Sequence, residues 1–390
     1  MFRKCLSIAQ PQIGDSTQNQ INRRTYVKNR MLKLSIYSTF VWCAFMLSAV
    51  GNVSAQLNAN NRDRDLSVMT RNMYLGTDFD EIFAAQTFEQ LVTEVAEAYT
   101  EVGTSLPAER IAGIADEIEA GQPVLVGLQE VALWRVGAPF DPSPAENVTY
   151  DFLQLLLDEL NARGLHYAPV AVRTNFDAEV PGVFSPTFAL DVRFTDRIVV
   201  LARTDLQTSQ LKIGNVQARA FTTNLTFSSP TLGTITIPRA YISVDAKMRG
   251  KQFRFVNAHL ESFSPIINFI QASELVQTAG NTNLPLVFAG DFNADAEAGA
   301  ASYQLFLNAG LIDVWEQTNP TEAGLTWALF LANPSTYTNP TQRLDLVMMR
   351  GEIDASYADV TGENPITDRT PSGLMRSDHA GVNASFKLRP

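Results

Sequence analysis

The run Leu286-Val287-Phe288-Ala289-Gly290-Asp291-Phe292-Asn293 is a short, continuously apolar segment that ends in a carboxylate and an amide. Four to eight apolar residues bounded by turn formers read as a strand buried on both faces. Three further runs have the same design: Ser67 to Asn72, Val124 to Glu130, and Phe255 to His259. Two more begin with their polar groups: Asp345 precedes Leu346 to Met349, and Asp378-His379 precede the strand-like segment Ala380 to Leu388. If this second set runs antiparallel to the first, every polar group emerges at one pole of the sheets. A pole with histidines, carboxylates and amides has the equipment for hydrolysis and metal binding.

Working outward, the remaining chain alternates strands with helices. Apolar residues recur at helical spacing in Phe88 to Thr100, Pro107 to Ala120, Phe152 to Leu160 and Pro265 to Thr278, which predicts covering helices. Further strands are predicted at Arg197 to Ala202, Ala220 to Phe227 and Thr234 to Val244. Several strands follow one another directly, so the pattern favours layered sheets with antiparallel neighbours over a purely parallel sheet. Val136 to Val148 and Arg173 to Pro186, rich in Pro, Gly, Asn and Asp, read as surface loops.

Composition narrows the class. The chain has 390 residues, 45% hydrophobic and 18% charged, and its 2 cysteines cannot build a disulfide scaffold or a Cys-rich zinc site. A net charge of -11 argues against gripping nucleic acid by bulk counterion release, but permits an enzyme that meets phosphate through a metal. At the N-terminus, Arg23, Arg24, Lys28, Arg30 and Lys33 precede the apolar run Leu34 to Val50 and the small residues Val53-Ser54-Ala55. That order predicts a secretory signal peptide over residues 1–55, cleaved after Ala55, and an exported protein, secreted, periplasmic or on the cell surface. A polar extension, 56–65, would then precede one domain, 66–390. The mature chain would carry a charge of about -17, lose both Cys5 and Cys43, and keep no membrane span.

The blocks Thr70-Arg71-Asn72, Leu128-Gln129-Glu130, Asn257-Ala258-His259-Leu260, Gly290-Asp291-Phe292-Asn293, Arg343-Leu344-Asp345 and Ser377-Asp378-His379 resemble, in order, those of the endonuclease/exonuclease/phosphatase family. This family comprises deoxyribonuclease I-like metal-dependent phosphohydrolases and includes bacterial neutral sphingomyelinases. The resemblance spans Leu66 to Leu388. It implies an α/β four-layer sandwich, two packed mixed β-sheets flanked by helices, with the site at one end.

The residue types suit that chemistry. The oxygens of a phosphoester repel an incoming nucleophile, so a divalent cation is needed to neutralise them. Glu130 is the expected principal ligand for Mg²⁺ or Mn²⁺, with Asn72 and Asp378 as further contacts. An amide can offer its oxygen to a metal and its NH₂ to a phosphate oxygen, the expectation for Asn72 and Asn293. His379 is the expected general base, oriented by Asp345, while His259 would donate to phosphoryl oxygens and Asp291 would orient the nucleophile; the family leaves open whether this Asp or the His takes the proton. His166 lies away from these blocks and reads as structural. A further phosphate contact is expected among Arg173, Asn175, Asp191, Arg193 and Tyr241.

Tyr74 stands where many nucleases of the family carry an acid, and Asn72-Met73-Tyr74 is closer to the sphingomyelinase pattern. The expected activity is a secreted phosphoester hydrolase, foremost a phosphodiesterase, acting as a monomer on a nucleic acid, a phospholipid headgroup or a small phosphodiester, with a phosphomonoesterase left open. The alternative is an exported binding protein that kept the scaffold and lost catalysis.

Overall fold

The computed structural model describes residues 66–389. The expected signal peptide, the cleavage site and the whole polar extension lie outside the described residues. In chain order the elements are β1 (Leu66–Asn72), α1 (Asp80–Ala84), α2 (Phe88–Thr104), α3 (Pro107–Gly121), β2 (Leu125–Gln129), β3 (Leu133–Gly137), β4 (Asn147–Asp151) and α4 (Phe152–Ala162). Next come β5 (Tyr167–Ser185), β6 (Phe188–Arg203), β7 (Leu211–Ala220), β8 (Leu225–Ser229), β9 (Gly233–Ile237), β10 (Ala240–Met248), β11 (Lys251–His259) and α5 (Pro265–Gln277). The chain closes with β12 (Leu286–Asp291), α6 (Ala301–Asn308), β13 (Ile312–Asp313), α7 (Val314–Thr318), β14 (Asp345–Arg350), β15 (Ile353–Thr361) and β16 (Gly381–Leu388).

An 8-stranded sheet runs β15-β16-β1-β2-β6-β3-β4, with β5 on the other edge of β6. A 6-stranded sheet runs β13-β14-β12-β11-β10-β7, and β8 and β9 form a separate ribbon. The two sheets pack face to face, and the continuous apolar runs follow from that. In β12, Val287 and Ala289 enter the core between the sheets. Leu286 and Phe288 enter the layer beneath α5 and α6 with Leu275 and Phe306. In β1, Val68 points between the sheets, whereas Met69 meets Leu91, Ile111 and Leu156 of α2, α3 and α4. This is the expected four-layer sandwich of two mixed sheets flanked by helices.

The site-bearing strands are aligned as the polar termini require. β1 pairs parallel with β2, and β11 parallel with β12, so Asn72, Gln129, His259 and Asp291 share one end. β14 runs antiparallel to β12 with Asp345 opposite Asp291, and β16 runs antiparallel to β1. Gly290 is required here, because a Cβ would lie 2.2 Å from the Ala258 carbonyl oxygen.

Four sequence expectations are corrected. Arg173 to Pro186, read as a loop, is most of the 19-residue strand β5. Among the described residues β5 pairs only with β6, so its outer edge needs no N–H donors and tolerates Pro169 and Pro181. Val136 to Val148 likewise begins in β3 and ends in β4. Thr234 to Val244 is two strands, divided at Pro238-Arg239, and Ala220 to Phe227 spans the end of β7 and the start of β8.

Candidate active site

Glu130, His259, Asp291, Asn293, Asp378 and His379, at or just beyond the strand ends, line a cleft of about 660 Å³, while Asn72 and Asp345 are buried outside its wall. Glu130 sits where β2 gives way to β3, both strands pairing in succession with one edge of β6. It makes this change of direction at φ 56°, a left-handed conformation uncommon for a residue with a Cβ. Its Oε2 accepts from the Leu75 N–H at 3.0 Å, and its Oε1 from the Asn72 amide at 2.9 Å. Asn72 Nδ2 also donates to Asp291 Oδ2 at 3.1 Å, which joins the two sheets at the pole.

The Asn72 oxygen accepts the Tyr74 N–H at 3.0 Å. The amide hydrogens therefore hold two carboxylates together, where the sequence reading had directed them to phosphate. Asn293 Nδ2 is likewise engaged, donating to the Leu260 carbonyl at 3.0 Å, although the side chain lines the cleft. Helix α5 braces both loops, because buried Asn268 donates to the carbonyls of Glu261 at 2.7 Å and Phe292 at 2.9 Å.

His379 and Asp345 meet as expected, with Nδ1 2.8 Å from Asp345 Oδ2. His379 Nε2 lies 3.7 Å from Asp291 Oδ2 and His259 Nε2 3.5 Å from the same oxygen. The dyad is anchored from behind. Buried Arg71 donates to the His379 carbonyl and to Glu117 at 3.0 Å, and Ser377 Oγ donates to the Asn72 carbonyl at 2.9 Å. Arg110, wholly buried, ties the Met73 and Arg376 carbonyls together at 2.9 and 3.1 Å.

The electrostatics report an excess of buried negative charge. Burial and the Asp378 carboxylate push Glu130 up to about 8, against the opposing pull of His379. Burial and Asp345 push Asp291 up to about 6, again against His379. For His379, burial favours the neutral form, but Asp345, Asp291 and Asp378 outweigh it and raise the pKa well above the usual value. His259 moves the other way: burial, Arg239 and His379 hold it well below its ordinary value, as a neutral ring.

Ligand atoms of Glu130, His259 and Asp291 all lie within 4.8 Å of one another. Asp345 Oδ1 is buried with no hydrogen-bond partner among the described residues. Opposed hard oxygens at raised pKa, with one oxygen left over, fit a divalent cation such as Mg²⁺ or Mn²⁺. Asp378 lines the cleft but stands outside that tight group, its Oδ1 accepting from Ser377 Oγ at 3.3 Å.

None of the five candidates for a further phosphate contact lines the cleft. Asp191 caps the backbone N–H groups of Phe140 and Asp141; Arg193 pairs with Asp177 and Glu146; Tyr241 is buried against Thr278. Arg173 also lies off the cleft, and Asn175 reaches it only through Asp196, to which it donates at 2.9 Å. The residues present instead are Asp196 and Arg239. Arg239 Nη1 lies 3.2 Å from both ring nitrogens of His259, and its Nη2 donates to Ser262 at 3.2 Å. Its signal was Pro238, which ends β9 and sets Arg239 at the pole one residue before Ala240 pairs with His259.

Comparison with known proteins agrees with this geometry. Residues 102–379 match the model of the endonuclease/exonuclease/phosphatase family. Among solved structures, the chain is similar to a family protein from Bacteroides thetaiotaomicron, at 18% identity and a TM-score of 0.50, covering 83% of this chain and 97% of that one. A family protein from Bacteroides vulgatus gives 13% identity and a TM-score of 0.51, covering 83% and 99%. One from Leptotrichia buccalis gives 17% and 0.50, covering 83% and 99%. No curated protein sequence matches the chain. With two mixed sheets, six motif blocks in order and this family match, the chain belongs to the endonuclease/exonuclease/phosphatase family of metal-dependent phosphoric ester hydrolases.

Proposed function

We propose that the protein is an exported, Mg²⁺-dependent phosphodiesterase that hydrolyses small or lipid-type diesters rather than polynucleotides. The observation that carries this is the composition of the cleft. Its wall holds the carboxylates of Asp78, Asp80, Glu130, Asp196, Asp291 and Asp378, and its arginine, among the described residues, is Arg239. One phosphate meets a cation there; a chain of phosphates would meet repulsion.

In this reading Glu130 and Asp291 would hold the metal, and Asp378, which lines the same cleft, would be a further contact. Bound there, Mg²⁺ supplies charge neutralisation and polarisation of the P–O bond. Arg239 and neutral His259 donate to the phosphoryl oxygens. His379 Nε2 takes the proton of the attacking water, because Asp345 holds Nδ1 in the donor state and leaves the other nitrogen as acceptor. The carboxylates that raise the His379 pKa are also those a divalent cation neutralises, so the neutral base and the bound metal belong to one state of the site.

The test is a panel of DNA, RNA, sphingomyelin, inositol phosphates and a nitrophenyl phosphodiester, each with Mg²⁺ and with chelator. The enzyme would be recovered from the extracytoplasmic fraction and its N-terminus sequenced. Expected are diester turnover abolished by chelator and a chain starting at Gln56. Full turnover in excess chelator would sink the metal reading, preference for DNA would overturn the substrate reading, and a retained Met1 or Met31 would refute cleavage.

A further inference from the structure

Beside the catalytic cleft lies a second cavity of about 400 Å³, roofed by the β8–β9 ribbon and floored by β5 and β6. Phe79, Phe83, Phe176 and Phe194 line both cavities, so the two adjoin and share an aromatic wall. The rings form one packed group: Phe79 lies 4.8 Å from Phe194 and 6.1 Å from Trp134, and Phe83 meets Phe227 of the ribbon edge-on at 5.2 Å. Ile82, Val95, Ala98 and Leu232 complete the wall.

Both carboxylates and Thr236 on this wall are already committed. Asp177 accepts from Arg193 at 2.6 Å and Thr195 at 2.8 Å, Glu179 accepts the Ala145 N–H at 2.8 Å, and Thr236 shares a hydrogen bond with Thr226 at 2.9 Å. A nucleobase or sugar entering here would exchange water for few new hydrogen bonds, whereas an apolar group would lose only water. At the cleft mouth, Phe263 and Leu331 are 60% and 68% exposed, so the approach is apolar too.

We propose that this cavity is the subsite for an apolar substituent, alkyl or aryl, of the phosphodiester whose phosphorus is attacked in the adjoining cleft. The assignment rests on the phosphodiesterase reading and adds to it the chemical class of one ester arm. It requires that arm to be uncharged, and it places the second ester arm on the solvent side of the cleft.

The experiment uses the full protein with Mg²⁺ and nitrophenyl alkyl phosphodiesters from methyl to octyl, each kept monomeric. If the subsite is correct, KM falls by up to about fourfold for each methylene that enters the cavity, and then levels off. In parallel, the neutral fluorophore N-phenyl-1-naphthylamine is bound in the presence of chelator and displaced by the same esters, a readout that needs no turnover. Ala98→Phe fills the cavity from α2, and Leu232→Asp brings a carboxylate into its ribbon wall. Either one, if folded by circular dichroism, should flatten the chain-length dependence and weaken fluorophore binding at least tenfold.

Hydrolysis of every ester at one KM would overturn the subsite and leave the phosphodiesterase reading intact. Chain-length-dependent displacement without hydrolysis of any ester would support the cavity and overturn the catalytic reading. A lower KM for a nitrophenyl thymidine phosphate than for the octyl ester would replace the apolar subsite with a base pocket. Turnover of monomeric octyl ester equal to that of micellar sphingomyelin would assign a soluble source, and micellar preference a lipid one; both support the apolar arm.

Discussion

The reacting groups are held by backbone as much as by side chains. Tyr74, Glu130 and Asn293 all adopt left-handed conformations, at φ 59°, 56° and 47°, and all three line the cleft. Such residues persist only where the surroundings over-determine them, as the Leu75–Glu130 and Asn293–Asp291 hydrogen bonds do at 3.0 Å each. If His379 is the base, as proposed, His379→Ala should lower turnover by roughly 10² to 10⁴. Asp345→Asn should act in the same direction by releasing the tautomer, and the double variant should lose far less than the product of the two, because both residues serve one proton transfer. Turnover of the three proteins, each checked by melting, decides this; near-wild-type turnover in His379→Ala would leave Asp291 as the base. Glu130→Gln removes a charge at nearly constant shape. Titration calorimetry should show Mg²⁺ affinity reduced at least tenfold, and unchanged affinity would move the ligand role to another carboxylate.

At the scale of elements, the long β5–β6 pair is the part the sequence concealed. Its polar residues staple the strands to one another: Asp177 of β5 accepts from Arg193, Thr195 and Arg135. Partial burial pushes the Asp177 carboxyl up, but the hydrogen bonds from Arg193 and Thr195 prevail and hold it below its usual value. A depressed carboxyl stabilises the fold above its unfolded pKa of about 3.9 and loses that contribution as pH falls through the lower folded value. Asp177→Asn should therefore cost up to about 1 kcal/mol at neutral pH, screened because the group is largely exposed. The difference from wild type should close in strong acid, once the carboxyl is protonated in both states. Denaturant midpoints at the two pH values check it; a gap that persists in acid would assign the loss to packing. The buried strands were legible because, covered on both faces, they must be apolar throughout and must end where a polar group meets the cleft. Asn72, Glu130, His259, Asp291, Asp345 and His379 were readable for that reason. Asp196 was not, since it lies inside β6 at the point where β2 hands its edge to β3, a position defined by pairing and not by composition. Arg239 was missed because the break at Pro238 was read through as one strand.

At the scale of the molecule, the site is divided between two sheets, so catalysis depends on their separation. Asn72 and Glu130 come from the larger sheet and its edge, while His259, Asp291 and Asp345 come from the smaller. Two residues below His259, Asn257 crosses the interface. Its Nδ2 donates to the carbonyls of Leu128 at 3.0 Å and Val199 at 2.8 Å, and its Oδ1 accepts from Gln129 at 2.7 Å. Gly127 makes room for it, since a Cβ there would lie 2.8 Å from the Asn257 side chain. Wholly buried, this amide sets the spacing of the sheets beside the catalytic pole. Asn257→Ala leaves buried polar groups short of a partner and should cost about 1 to 3 kcal/mol. It should also lower kcat well beyond the fraction unfolded, because displacement of reacting groups by about 1 Å can cost up to 10²-fold. Val244→Ala, in the same inter-sheet core but far along β10 from the pole, supplies a variant of reduced stability without a severed link. Measured at a temperature where both are fully folded, Asn257→Ala should be slow and Val244→Ala close to wild type. Equal losses in the two would mean that general loosening of the core, and not this amide, governs the geometry of the cleft.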